Sequence, residues 1–279
     1  MTVSRWAGVV VGVSALVVGA CGGSRNPLAT PAETQFNFHT ASIGLGNWPC
    51  GCSYVPYDFI YIDQFDTTRT DDPYFNGAFD SYPIDPNAHS GIPLFERIEY
   101  MREAAGAHRF RFTNFNHGVV VDTTLALAAS ANTVIYLTDS IGVRYHVMLV
   151  DESTPGPANS VRMRVLNLSP DAGPVSAYVV ASSGTFLWSN LPQQVAYGTI
   201  SPYVTVDPSV VASDGNVYLK FFGGTDTAQT VAAATVPFTP GRSYHVVVEG
   251  LVSPHVVSYP GAVSVTVNPS VTAHVRVAH

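Results

Sequence analysis

The chain reads as all-β, and three observations predict it. Valine dominates the apolar runs, and β-branched side chains suit a pleated, half-buried backbone. Runs such as His108-Arg109-Phe110-Arg111-Phe112 and Asn216-Val217-Tyr218-Leu219-Lys220-Phe221 alternate in character, the period of a strand with one face in a core. The same order of runs also occurs twice along the 279 residues, as two copies of one unit require. Gly and Pro, 23 and 20 of them, are spread throughout and cut each copy into six or seven short strands. That pattern predicts two tandem immunoglobulin-like β-sandwich domains.

Composition narrows the function classes. Hydrophobic residues make up 46% and charged residues 12%, about half the usual charged share, so polar surface comes from Ser, Thr, Asn and Gly. The formal net charge is −7, Lys220 is the only lysine, and no basic run exists. A nucleic-acid binder needs clustered cations to displace counterions, so that class is excluded.

Residues 1–20 form a leader. Arg5 supplies a positive start and Gly8 to Gly19 a small-residue apolar stretch. It is shorter than the roughly 20 residues of a spanning helix and fits a secretory signal. Val18-Gly19-Ala20-Cys21 resembles the bacterial lipobox. The resemblance implies cleavage before Cys21, lipidation (thioether-linked lipid and palmitate-type acyl chains) on its thiol and new N-terminus, and stable anchoring through several chains. An ordinary signal with an incidental cysteine is the plainer alternative. Gly at position 22 favours the outer membrane or cell surface in a cell with two membranes. Residues 21–33 are small, polar and Pro-bearing, a flexible tether.

The first copy spans 34–153. Its runs are Phe36–Ser42, Asp58–Ile62, His108–Phe112, Thr123–Leu127, Thr133–Leu137 and His146–Val150. A Pro/Gly/Ser-rich linker follows at 154–160. The second copy, 161–262, repeats the order with Val165–Ser169, Val175–Val179, Asn216–Phe221, Ala234–Phe238, Tyr244–Val248 and His255–Tyr259. Phe95–Glu103 and its counterpart Tyr197–Val204 are read as irregular strands. The tail, 263–279, is either an added edge strand of the second copy or the start of a truncated third; a lone first strand has no partner, which favours the former.

Between the first strands of the second copy lies Ser169-Pro170-Asp171-Ala172-Gly173-Pro174. Pro170 fixes φ, Asp171 bonds nearby N–H groups and Gly173 tolerates positive φ, so a turn accounts for it without a ligand. With the preceding Val161–Leu168 strand, the following Val175–Val179 strand, Tyr197-Gly198 and Ser201-Pro202-Tyr203, it resembles domain-of-unknown-function family 4397. The resemblance covers 160–260. It implies an exported bacterial β-sandwich module with no catalysis to carry over. The first copy lacks the Ser-Pro-Asp-Ala motif and carries an insertion.

That insertion holds the remaining candidates. Cys50 and Cys52 flank Gly51; oxidation is usual for exported thiols, but so small a ring strains disulfide geometry, and their pairing stays open. From Asp63 to Asn87 six aspartates alternate with aromatics. Asp71, Asp72, Tyr74, Phe75 and Tyr82 are the candidate ligand or partner surface, for a glycan or a protein; the plainer reading is a solvated loop with its rings packed down. No Ca²⁺-loop spacing, metal-ligand spacing, nucleophile elbow or phosphate loop appears, so no metal, cofactor or catalytic residue is assigned. His39, His146, His245 and His255 lie on strands and read as partly buried core residues. The expected function is non-catalytic: an envelope lipoprotein, held to the membrane through Cys21, that binds, adheres or scaffolds. The alternative is an extracytoplasmic hydrolase with its site in the 63–87 loop.

Overall fold

The computed structural model describes residues 32–46, 59–63, 100–113, 119–181, 183–188, 191–224, 230–259 and 263–278, all within the unit Ala32–His279. Cys21, Cys50, Cys52, Asp71, Asp72, Tyr74, Phe75 and Tyr82 lie outside the described residues.

The chain is all-β, as its alternation predicts. Its first part gives β1 (Glu33–Ala41), a single helical turn (Ile43–Gly46), β2 (Phe59–Ile62), β3 (Met101–Ala104), β4 (Gly106–Thr113), β5 (Val119–Leu127), β6 (Asn132–Asp139) and β7 (Tyr145–Asp151). They form one sheet in the order β3-β1-β6-β7 and another in the order β2-β4-β5. Phe36, Phe38, Ile135 and Leu137 from the first sheet meet Ile62, Phe110, Phe112, Leu125 and Leu127 from the second in one core.

The second part gives β8 (Val161–Leu168), β9 (Val175–Val180), β10 (Phe186–Trp188), β11 (Thr199–Ile200), β12 (Val204–Val206), β13 (Asn216–Gly223), β14 (Thr230–Pro237), β15 (Ser243–Glu249), β16 (His255–Tyr259), β17 (Val263–Val267) and β18 (Thr272–Ala278). The wiring of the first part recurs. β8 runs parallel to β15 as β1 runs parallel to β6. The hairpin β13-β14 matches β4-β5, and β12 flanks β8 as β3 flanks β1. A second core gathers Val161, Met163 and Val165 with Val175, Val179, Leu219, Phe221 and Val246.

The closing strand departs from the sequence alignment of the copies. His255–Tyr259 is matched there with His146–Val150, which pairs beside β6. In the fold β16 instead pairs with β17 in a separate hairpin. The edge position beside β15 is taken by β18, antiparallel. The hairpin leaves because Val257, Tyr259 and Val267 find cover on Ile43 and Leu251, and the Tyr259 hydroxyl donates to Gly44 O at 2.9 Å.

β6 and β15 are buried along nearly their whole length. One face of each looks into its own core. The other looks across at the opposite middle sheet, where Ala41, Val134, Tyr136 and Val150 meet Leu166, Leu168 and Val247. The order of layers is therefore β2-β4-β5, β3-β1-β6-β7, the β8-β15-β18 sheet, and β10-β9-β13-β14. A strand covered on both faces reads as a continuous apolar run, as Val134–Leu137 and Val246–Val248 do.

Candidate functional site

The seam between the middle sheets carries charge as well as apolar side chains. Glu249, at the end of β15, is fully buried. Its carboxylate lies 2.6 Å from His39 Nε2 on β1 and 3.3 Å from His274 Nε2 on β18. Burial pushes its pKa up, but the two imidazoles outweigh it and hold the carboxyl at about 2. Elsewhere in the seam Glu152, just after β7, receives the Tyr100 hydroxyl at 2.5 Å. It lies 3.0 Å from His245 Nδ1 and 3.5 Å from Arg276 Nε. Burial again opposes ionisation, and His245, Arg276 and Tyr100 bring the Glu152 pKa below the usual range.

The protonation of His245 follows from its neighbours. Arg164 Nε donates to His245 Nε2 at 2.9 Å, and arginine has no acceptor. Nε2 must therefore carry a lone pair, which puts the proton on Nδ1, facing Glu152. Burial, with Arg164 and Arg276 adding repulsion, lowers the His245 pKa despite Glu152. Tyr203 completes the cluster: its hydroxyl lies 2.7 Å from His245 Nε2, and the Arg162 and Arg164 guanidinium groups both sit 4.4 Å from its ring centre.

The sequence reading of strand histidines as buried holds for His39 and His245. His146 instead is exposed on β7, against the Tyr197 ring.

Asp171, in the Ser-Pro-Asp-Ala knot, does more than shape a turn. Gly173 takes φ +67°, but the Asp171 carboxylate reaches 81 residues on. It accepts from Val252 N at 2.8 Å, and from Ser253 N and Ser253 Oγ at 2.9 Å, with His255 Nε2 at 3.0 Å. Burial raises its pKa, but these bonds together lower it. Ser253 Oγ and Asp171 both meet the same imidazole nitrogen, the serine at 3.2 Å. A nucleophile relay needs the serine on one ring nitrogen and the acid on the other, so this trio is a clasp between the β8-β9 turn and the loop after β15.

A cleft of about 1400 Å³ opens where the β14 and β18 edges meet the starts of β1 and β6. Drug-sized pockets run to about 1,000 Å³, so this one has room for an extended ligand. Tyr218 and Lys220 of β13, Ser183 and Gly184 of the β9-β10 turn, and Thr235 of β14 form one wall. Gln35, Asn132, Tyr100 and His274 form the other. The two exposed-side tyrosines have their hydroxyls engaged, Tyr218 by Asp214 and Tyr100 by Glu152. Their rings are thus held as fixed faces. Tyr100 and His274 belong to the buried network and to the cleft at once, so the network sets the position of that wall. Among the described residues no group of three or more His, Cys, Asp or Glu side chains is arranged to hold a metal ion.

Fold and cleft define a multi-sheet β protein with a large open cleft and no relay in the clasp. The family resemblance read in the sequence is borne out: residues 75–178 match the family described as Domain of unknown function (DUF4397). The matched span runs through β3 to β8 and ends in β9, taking in the Ser-Pro-Asp-Ala knot, whereas the sequence resemblance was traced over 160–260. No curated protein matches the chain. Among solved structures, one from work on "Alpha-glucan recognition by family 41 carbohydrate-binding modules from streptococcal virulence factors" is similar at 14% identity and a TM-score of 0.23, over 77% of this chain and 93% of that one.

Proposed function

We propose that this chain is a non-catalytic, extracytoplasmic binding module of a bacterial lipoprotein. Lipid on Cys21 holds it to the membrane, residues 21–33 act as the tether, and the cleft engages an extended, hydroxyl-bearing ligand. The cleft is the observation that carries the reading. It is open and roomy, and lined by tyrosine faces and by hydrogen-bonding side chains, Lys220 and Arg242 among them. Such a lining orients a ligand through many modest contacts.

The fragment 22–279 keeps the whole unit Ala32–His279, and glycan and protein arrays probed with it test the reading. Micromolar binding is expected, and it should be lost in Ala233→Trp, because Ala233 is exposed on the cleft wall and an indole there fills space without entering a core. Absence of micromolar binding, or binding indifferent to Ala233→Trp, overturns the cleft as the site. For the anchor, acyl labelling of the full chain should vanish in Cys21→Ala; labelling that persists refutes it.

A further inference from the structure

We propose that the ligand of the cleft is an acidic glycan, whose uronate carboxylates are held by Lys220 and Arg242. The inference rests on the reading of the cleft as a binding site and names the chemistry of what enters it. The chain carries 20 Asp and Glu against 13 Lys and Arg, so an average stretch of surface is acidic. Among the described residues the cleft lining reverses that balance: it contains Lys220 and Arg242 and no carboxylate. Three acids lie directly behind lining residues, and each is engaged: Asp214 by the Tyr218 hydroxyl and the Asn216 backbone N–H, Glu152 by the Tyr100 hydroxyl, and Glu249 by His39 and His274.

Among the described residues the fold gives Lys220 no partner carboxylate, and Arg242 is exposed in the lining. Lys220 is half-buried on the outer face of β13, with its ammonium beside the Gly184 turn. Among the described residues neither Lys220 nor Arg242 forms an ion pair with a carboxylate. Withdrawing an ammonium partly from water without a partner costs stability. A guanidinium offers a fork suited to a carboxylate, and an ammonium a point charge.

The rest of the lining favours a sugar over a peptide. β13 has both backbone edges spent on β9 and β14, whereas β14 and β18 end their sheets at the cleft, so the preference for a sugar rests on the side chains and polyglutamate is the peptide control. What the β13 wall and the opposite wall offer are hydroxyls and an amide, from Ser183, Thr235 and Gln35. Such groups both donate and accept, as sugar hydroxyls do. The Tyr218 and Tyr100 rings supply flat apolar faces beside them.

The test is calorimetric titration of fragment 22–279 with three probe sets: uronate oligosaccharides (oligogalacturonate, oligoalginate, hyaluronan fragments), neutral ones (maltohexaose, xylohexaose) and polyglutamate. A uronate probe should bind most tightly, with affinity that falls as salt rises. Lys220→Ala and Arg242→Ala should each weaken it about tenfold, the scale of one charge contact. The melting temperature should stay within about 2 °C, as for a surface change that breaks no internal pair. Neutral sugars binding equally well, untouched by both variants, overturn the acidic ligand and leave the binding module standing. Polyglutamate binding as tightly as the best uronate overturns the glycan. Failure of every probe overturns this inference, while the protein and glycan arrays separately decide the binding module.

Discussion

Glu249→Gln is the sharpest probe of the seam between the middle sheets. The substitution keeps the side-chain volume and removes the charge that meets His39 and His274 at 2.6 and 3.3 Å. A carboxyl that titrates at about 2 in the fold against 4.5 as its ordinary value contributes about 3 kcal/mol at neutral pH. That agrees with the roughly 3–5 kcal/mol lost when one partner of a buried pair is removed. For a chain of this size it corresponds to a melting temperature lower by about 6–12 °C. The sign with pH follows from the depressed value: the contribution is complete above the unfolded value and is lost as pH falls towards the folded one. Scanning calorimetry of wild type and variant should therefore show the full gap at pH 7, narrowing from about pH 4.5 downwards as the wild-type carboxylate takes up its proton. A gap under about 2 °C at pH 7, or one constant from pH 7 to 3, would refute the reasoning.

Three further outcomes follow from neighbouring geometry. Asp171→Ala removes the acceptor of two backbone N–H groups, the Ser253 hydroxyl and the His255 imidazole; about 2–3 kcal/mol should be lost, with amide exchange quickened at Val252 and Ser253 while β13 stays protected. Since burial and its neighbours hold His245 below its ordinary 6.5, the unfolded chain takes up a proton first as pH falls, so melting temperatures should decline below pH 6.5. The decline should be shallower in His245→Gln, and an equal slope in both proteins points to another group. Gly250 adopts φ +90°, and a Cβ there would lie 2.5 Å from the Ser270 carbonyl oxygen; Gly250→Ala should cost more than about 1 kcal/mol, read as a lower urea midpoint.

The strands were legible because each half-buried face leaves a period of two. On β4 His108, Phe110 and Phe112 are buried while Arg109 is exposed and Arg111 half-buried, just as the sequence pattern implies. The knot at Ser169–Pro174 was legible as a turn, since Pro and Gly constrain the backbone locally. Its carboxylate was not, because the N–H groups it meets come from Val252 and Ser253, and no local rule points that far. The same holds for His39 and Glu249, 210 residues apart. One signal did exist. Val246 to Val248 is continuous rather than alternating, which marks a strand covered on both faces, and a glutamate ending such a strand must be supplied with partners. The cleft left no sequence signal of its own: Lys220 and Arg242 come from different strands and turns, and Gln35 and Asn132 from the other half of the chain. The exchange of β16 for β18 was hidden because both are valine-rich and alternating, and only packing on Ile43 distinguishes them.

The ionic seam is an expensive way to hold two sheets together. Well-packed apolar residues of the same volume often stabilise as much or more, and Leu166, Leu168 and Val247 already supply that kind of contact on the same surface. What an apolar seam lacks is direction, since it tolerates sliding with little penalty. Here each carboxylate is met by groups from several strands: Glu249 by β1 and β18, Glu152 by β15, β18 and Tyr100. A shift of one sheet along the other by a single residue would strand both charges in the interior, at a cost of several kcal/mol each. The seam thus fixes the register of the two halves. Because Tyr100 and His274 reach from it into the cleft, that register also sets the spacing between the wall that carries Lys220 and the wall that carries Gln35 and Asn132. The buried charges are best understood as the device that keeps the groove at one width.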